Sequence, residues 1–164
     1  LFSAPIFLLE IVEAIFFDRS VRYHDYFNIT DKKIIESRQR KRKFLEKTIL
    51  YLKKKKIDAI VTPSVQYRLD QDWAFVSNQL NLNFICLHKE FTVMDKNIYK
   101  KKIIRFKKDN LKFLGSKLLV SNKLGKKLFI ETKFCEKSRV KVIGSLRMDR
   151  ILPVKENEKK KEIL

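Results

Sequence analysis

The sequence predicts an α/β fold built on a parallel sheet, and three observations carry that expectation. Four short apolar segments punctuate the chain: Ile57 to Thr62, Phe84 to Leu87, Leu118 to Val120 and Val140 to Ile143. Each has the length and β-branched or aromatic content of a buried strand. The intervals between them are long enough for one helix each, and strands joined through helices run parallel with right-handed crossovers. At 164 residues and 45% hydrophobic content the chain has enough apolar material for one core. The fold class is therefore α/β, a Rossmann-like parallel sheet flanked by helices.

The elements follow in order. Ile6 to Phe17 is apolar but carries Glu10 and Glu13, and it falls short of the roughly 20 apolar residues that cross a bilayer. With no basic segment before it and no small-residue cleavage site, it reads as a packed helix and not a signal peptide. His24, between Tyr23 and Tyr26, reads as a packed loop residue. Asp31 can cap a long helix running to about Lys56. Leu45, Ile49 and Leu52 give its second half one buried face, while Arg38, Arg40, Lys41, Arg42 and Lys43 are expected in solvent. Pro63 ends the first strand. A loop over Ser64 to Leu69 leads to a helix from Asp70, whose first-turn carboxylates suit the positive helix end and whose Trp73, Val76 and Leu80 face the core.

Asn81 and Asn83 close that helix before the second strand. The Lys-rich span Lys96 to Phe113 is read as helical, with Ile103, Ile104 and Phe106 as its apolar contacts. The third strand ends at Ser121-Asn122, and Lys123 to Thr132 forms a short helix before the fourth strand. Residues 1–152 are thus read as one Rossmann-like domain truncated at its start. Residues 153–164, charged from Lys155 to Glu162, are read as a linker toward a second domain.

The formal charge of +19 invites a nucleic-acid reading. Composition weakens it: 28 lysines against 10 arginines, with 17 isoleucines and 4 alanines, is the bias of an AT-rich genome. Arginine is the usual base reader, and no helix-turn-helix, zinc-finger or RNA-recognition signature is present, so no specific nucleic acid is expected. The same charge suits peripheral contact with an anionic membrane. Gly115, Gly125 and Gly144 are isolated, so neither a P-loop nor a dinucleotide fingerprint can be built, and the sequence calls for no cofactor. No serine elbow and no histidine pair at metal spacing occur. Cys86 and Cys135 form neither a disulfide framework nor a zinc site, which suits a reduced, cytoplasmic setting.

What the sequence does offer is polar residues directly after apolar strands. His88-Lys89-Glu90 follows the second strand without a spacer, and Gly144-Ser145-Leu146-Arg147-Met148-Asp149 follows the fourth. In open parallel sheets ligands bind beyond the carboxyl ends of the strands, so both clusters face one cleft. His88 is the candidate general base, because imidazole titrates near working pH. Glu90 can orient it or hold a hydroxyl, and Lys89 can meet a phosphate. Arg147 suits bidentate phosphate contact and Asp149 a sugar hydroxyl. Tyr67, Arg68 and Asp72, with Ser121, Asn122 and Gly144, fall at the same sheet edge as substrate-binding candidates. No residues are assigned to a metal.

The order of Tyr67-Arg68-Leu69-Asp70-Gln71-Asp72-Trp73, the second strand with His88-Lys89-Glu90, and Val142 to Asp149 resembles the amino-terminal half of bacterial surface-carbohydrate biosynthesis proteins of the GT-B glycosyltransferase type. The resemblance covers Asp58 to Arg150, and the CDP-glycerol glycerophosphotransferases and nucleotide-sugar 2-epimerases share the style. It implies two Rossmann-like domains facing a cleft, the first addressing the acceptor and the second holding the nucleotide of the donor. A Gly-x-Pro-Arg-x-Asp turn ends the first domain in that family, and here Leu146 stands where the proline would be. The implied activity is transfer of a glycosyl or alditol-phosphate unit from a nucleotide-activated donor to a glycan or lipid-linked acceptor, in the cytoplasm at the inner face of the plasma membrane. Epimerisation of a nucleotide sugar, or a basic nucleic-acid or membrane-binding module, are the alternatives.

Overall fold

The computed structural model of the chain describes residues 26–65, 70–88 and 96–144. The opening apolar segment, His24, and the expected linker after residue 152 lie outside them. Within them the order is α1 (Lys32–Lys54), β1 (Ala59–Thr62), α2 (Asp70–Gln79), β2 (Asn83–Leu87), α3 (Lys96–Lys108), β3 (Lys117–Val120), α4 (Lys123–Glu131) and β4 (Val140–Val142). The four strands pair in the order β1-β2-β3-β4, all parallel. This is the α/β, Rossmann-like arrangement expected from the spacing of the apolar segments.

Local signals start the helices where the sequence places them. The Asp31 carboxylate accepts hydrogen bonds from the backbone N–H groups of Lys33 and Ile34 at 2.8 and 3.4 Å, satisfying two donors that the first turn of α1 leaves unpaired. Asn122 does the same for α4, its Oδ1 accepting from the Gly125 N–H at 2.7 Å.

All four described helices stop by one device. The residue two past each helix end, Lys56, Asn81, Asn110 or Lys133, takes a positive φ between 46° and 59°. The next N–H, from Ile57, Leu82, Leu111 or Phe134, reaches back to the carbonyl of Leu52, Ser77, Phe106 or Phe129. This is the Schellman closure, and in each case the residue after the left-handed turn is apolar. Leu82, Leu111 and Phe134 are buried.

Strand register decides what is core. Thr62, Cys86, Leu118 and Val140 stand side by side across the sheet, and none is more than 6% exposed. That row faces the helices. One cluster gathers Cys86, Leu118, Val120 and Val140 with Phe106 of α3, Leu128 and Phe129 of α4, and Phe113 and Phe134. A second joins Leu45 and Ile49 of α1 to Val76 of α2 and Leu82, with Ile60 and Trp73 against them. Residues of the opposite pleat, Val61, Ile85, Leu87, Leu119 and Ile143, belong to neither cluster. Val61 and Ile143 remain 55% and 38% exposed, so the described helices cover one face of the sheet.

Two expectations are corrected. Arg38, Lys41 and Arg42 do not project into solvent: Lys41 is 1% exposed and the two arginine side chains are 21% and 25% exposed, because a buried carboxylate on α2 draws them in. Ile104 is not a core contact of α3. The inward residues are Tyr99, Ile103 and Phe106, at helical spacing, and Ile104 on the opposite side is 67% exposed.

Candidate active site at the carboxyl edge of the sheet

Parallel pairing brings the ends of all four strands to one rim, where Thr62 closes β1, His88 follows β2, Ser121-Asn122 follow β3 and Gly144 follows β4. His88 continues the inward alternation of Phe84 and Cys86. Its backbone N–H donates to the Leu119 carbonyl at 2.9 Å, extending the ladder by one residue. The imidazole is consequently 5% exposed and meets the Phe129 ring edge-on, with 5.7 Å between centroids. Burial, and to a lesser degree the Lys102 ammonium on α3, push it down to about 4. At neutral pH it is therefore an uncharged imidazole.

The neighbouring position on the rim is occupied by a carboxyl group. The Thr62 hydroxyl donates to the Asp70 carboxylate in the first turn of α2. Burial raises Asp70 to about 6, and the smaller opposing effects of that hydrogen bond and of Lys41 do not offset it. The Cys86 thiol, between Thr62 and Leu118 in the sheet, is pushed up by burial and by the charge of Asp70. Beside Asp70, Gln71 is 3% exposed. Its Nε2 donates to the Val65 carbonyl at 3.1 Å, and its Oε1 finds no hydrogen-bond partner among the described residues. An orphaned buried acceptor, a carboxyl that titrates near neutrality and a neutral imidazole thus share one edge of the sheet. Such a set can accept a proton and orient a hydroxyl.

Asp72 has a different role from the substrate contact expected of it. Its side chain is fully buried, and its Oδ1 accepts from the Tyr26 hydroxyl at 2.5 Å, from Arg42 Nε at 2.8 Å and from Arg38 Nε at 3.3 Å. Lys41 Nζ stands 3.3 Å from Oδ2. Burial would raise this carboxyl, but Lys41, the Tyr26 hydrogen bond and Arg42 together hold it below its ordinary value. The guanidinium carbons of Arg38 and Arg42 lie 3.6 and 3.7 Å from the ring centroids of Tyr26 and Phe75. The group ties α1 to α2 through one carboxylate.

Of the other expected site residues, Asn122 spends its side chain on the α4 cap. Ser121 is half-buried on the rim. Gly144 is exposed with φ +86°, a conformation that favours glycine, and among the described residues nothing lies within 4 Å of where a Cβ would stand. Tyr67, Arg68, Lys89, Glu90, Arg147 and Asp149 lie outside the described residues.

Sequence reading missed Thr62, Asp70 and Lys102. The first was findable: two residues after Ile60 in the same strand, it had to share the inward face. Among the described residues no group of three or more His, Cys, Asp or Glu can hold a metal ion, and no helix is long and apolar enough to cross a membrane. Cys86 and Cys135 are both free and buried. Comparison with protein-family models, with curated proteins and with solved structures finds no match to this chain.

Proposed function

We propose that this chain is the acceptor-side domain of a GT-B-type transferase that moves a glycosyl or alditol-phosphate unit from a nucleotide-activated donor to a glycan or lipid-linked acceptor. The observation that carries this reading is His88, an imidazole held uncharged at the end of β2 on the rim where parallel sheets bind ligands. The order of polar motifs along the chain supports it.

In the proposed reaction the acceptor O–H bond breaks and His88 takes the proton. The acceptor oxygen forms its new bond to the transferred group, and the bond between that group and the nucleotide phosphate breaks. The nucleotide leaves with the electron pair. An imidazole this far below its ordinary range is a weak base alone. A donor phosphate brought near would raise its proton affinity, so the base strengthens as the donor arrives. Asp70, ionised for the most part at neutral pH, is suited to orient the acceptor hydroxyl. The donor nucleotide is assigned to a second domain.

Two measurements test the reading. The 164-residue chain alone should neither turn over nor tightly bind nucleotide sugars or CDP-alditols, and micromolar donor affinity would overturn the division of labour. In a protein that joins this domain to its donor-binding partner, His88→Ala should lower turnover by about 100- to 10,000-fold with little change in donor KM. Near-normal turnover by a folded variant removes the catalytic role.

A further inference from the structure

The outer face of α3 has no part in the proposed chemistry. Of its 13 residues, Lys96, Lys100, Lys101, Lys102, Arg105, Lys107 and Lys108 are cationic and none is acidic. Tyr99, Ile103 and Phe106 pin the helix to the core, and the Tyr99 hydroxyl donates to Glu131 of α4 at 2.5 Å. That anchoring fixes which side looks outward.

At the centre of the outward side stands Ile104, 67% exposed, more than any other large hydrophobic residue described. Its helical neighbours at i−4, i−3, i+3 and i+4 are Lys100, Lys101, Lys107 and Lys108, all exposed. Residues at those spacings lie side by side on a helix surface, so the face is one apolar side chain ringed by four ammonium groups.

From this arrangement we infer that α3 is a membrane-contact surface, resting on anionic lipid with Ile104 entering the boundary between headgroups and acyl chains. Lysines on long flexible stems can reach the lipid phosphates while the isoleucine between them leaves water. A nucleic-acid backbone would engage the lysines and leave Ile104 with nothing to pack against. A bilayer uses both. The inference goes beyond the transferase reading and does not depend on it, since it rests on a helix that supplies no proposed catalytic group.

The test is cosedimentation of the full chain with vesicles of phosphatidylcholine alone and of equimolar phosphatidylcholine and phosphatidylglycerol. Binding is expected only to the anionic vesicles and should weaken with salt. Ile104→Ser, which keeps every charge, should weaken it about tenfold while leaving retention on random duplex DNA unchanged. Replacing Lys100, Lys101, Lys107 and Lys108 by Gln should weaken it by at least about a hundredfold. Replacing Lys32, Lys33, Lys43 and Lys47 of α1 by Gln removes the same charge elsewhere and should have a much smaller effect.

Circular dichroism confirms that each variant is folded. The proposal fails if Ile104→Ser binds vesicles as the parent does, if the α1 substitutions are as damaging as those on α3, or if the parent chain binds duplex DNA more tightly than anionic vesicles at physiological salt.

Discussion

Asp70 and His88 should make stability respond to pH in opposite directions over nearly the same range, so that each conceals the other until one is removed. His88 sits at about 4 in the folded chain against an ordinary 6.5. As pH falls through that interval the unfolded chain takes up a proton that the folded chain refuses, and stability drops. Asp70 sits at about 6 against an ordinary 3.8. Here the folded chain takes up the proton first, and stability rises on acidification. At about 1.4 kcal/mol for each pH unit separating folded and unfolded values, either contribution alone amounts to roughly 3 kcal/mol.

The parent chain should accordingly show a nearly level stability between pH 6 and 4, from cancellation of these two effects. Asp70→Asn removes the counterweight, and its stability should fall by roughly 3 kcal/mol over that interval. His88→Gln should do the reverse and gain stability on acidification. Asp72, held below its ordinary 3.8, gives up its own contribution only beneath the interval. Urea unfolding at a series of pH values reads these slopes, with Trp73 as the only tryptophan reporter. Because only the pH dependence is compared, the fixed cost of each substitution drops out. An Asp70→Asn profile parallel to that of the parent would refute the argument, as would a level His88→Gln profile.

Two further outcomes follow from packing and charge. Asp72→Asn leaves Arg38, Lys41 and Arg42 around a neutral group and should cost about 3–5 kcal/mol. Denaturant midpoints at constant slope measure it, and a loss below about 1 kcal/mol would mean that the cations find other anions. Gly115→Ala should destabilise by about 1–3 kcal/mol, since the new methyl would lie 2.6 Å from Phe113 Cζ and 2.7 Å from the Phe84 carbonyl oxygen. An unchanged melting temperature would show that this backbone can move aside.

What was legible in the sequence was what local rules determine. The Asp31 cap, the helix starting at Asp70 and four parallel strands all follow from spacing and end signals, and the structure has them, with the first strand starting at Ala59, two residues later than its apolar run. What escaped was set by partners distant in the chain. A run such as Arg38 to Lys43 looks solvated until Asp72, 30 residues past Arg42, folds against it. Ile104 looked like core because an isoleucine beside Ile103 is apolar in either register. The anchoring of Tyr99 and Phe106 decides between them. His88 was legible as a strand-end residue, but its uncharged state depends on Phe129 and Lys102, which come from α4 and α3.

The shared manner in which the helices stop fixes a datum line along the amino-terminal edge of the sheet. An apolar residue after each left-handed turn, from Ile57 to Phe134, plugs the helix end against the layer beneath, so the height of its other end is measured in turns from that line. α2 has 10 residues and α3 has 13, a difference of about 4.5 Å at 1.5 Å per residue. The opening residues of the shorter helix, Asp70, Gln71 and Asp72, are partly or wholly buried, whereas Lys96, Asn97 and Ile98 at the start of α3 are exposed. The burial that raises Asp70 beside Thr62 thus belongs to the opening turn of α2. Where a helix opens within the packing has become, for Asp70, a raised proton affinity.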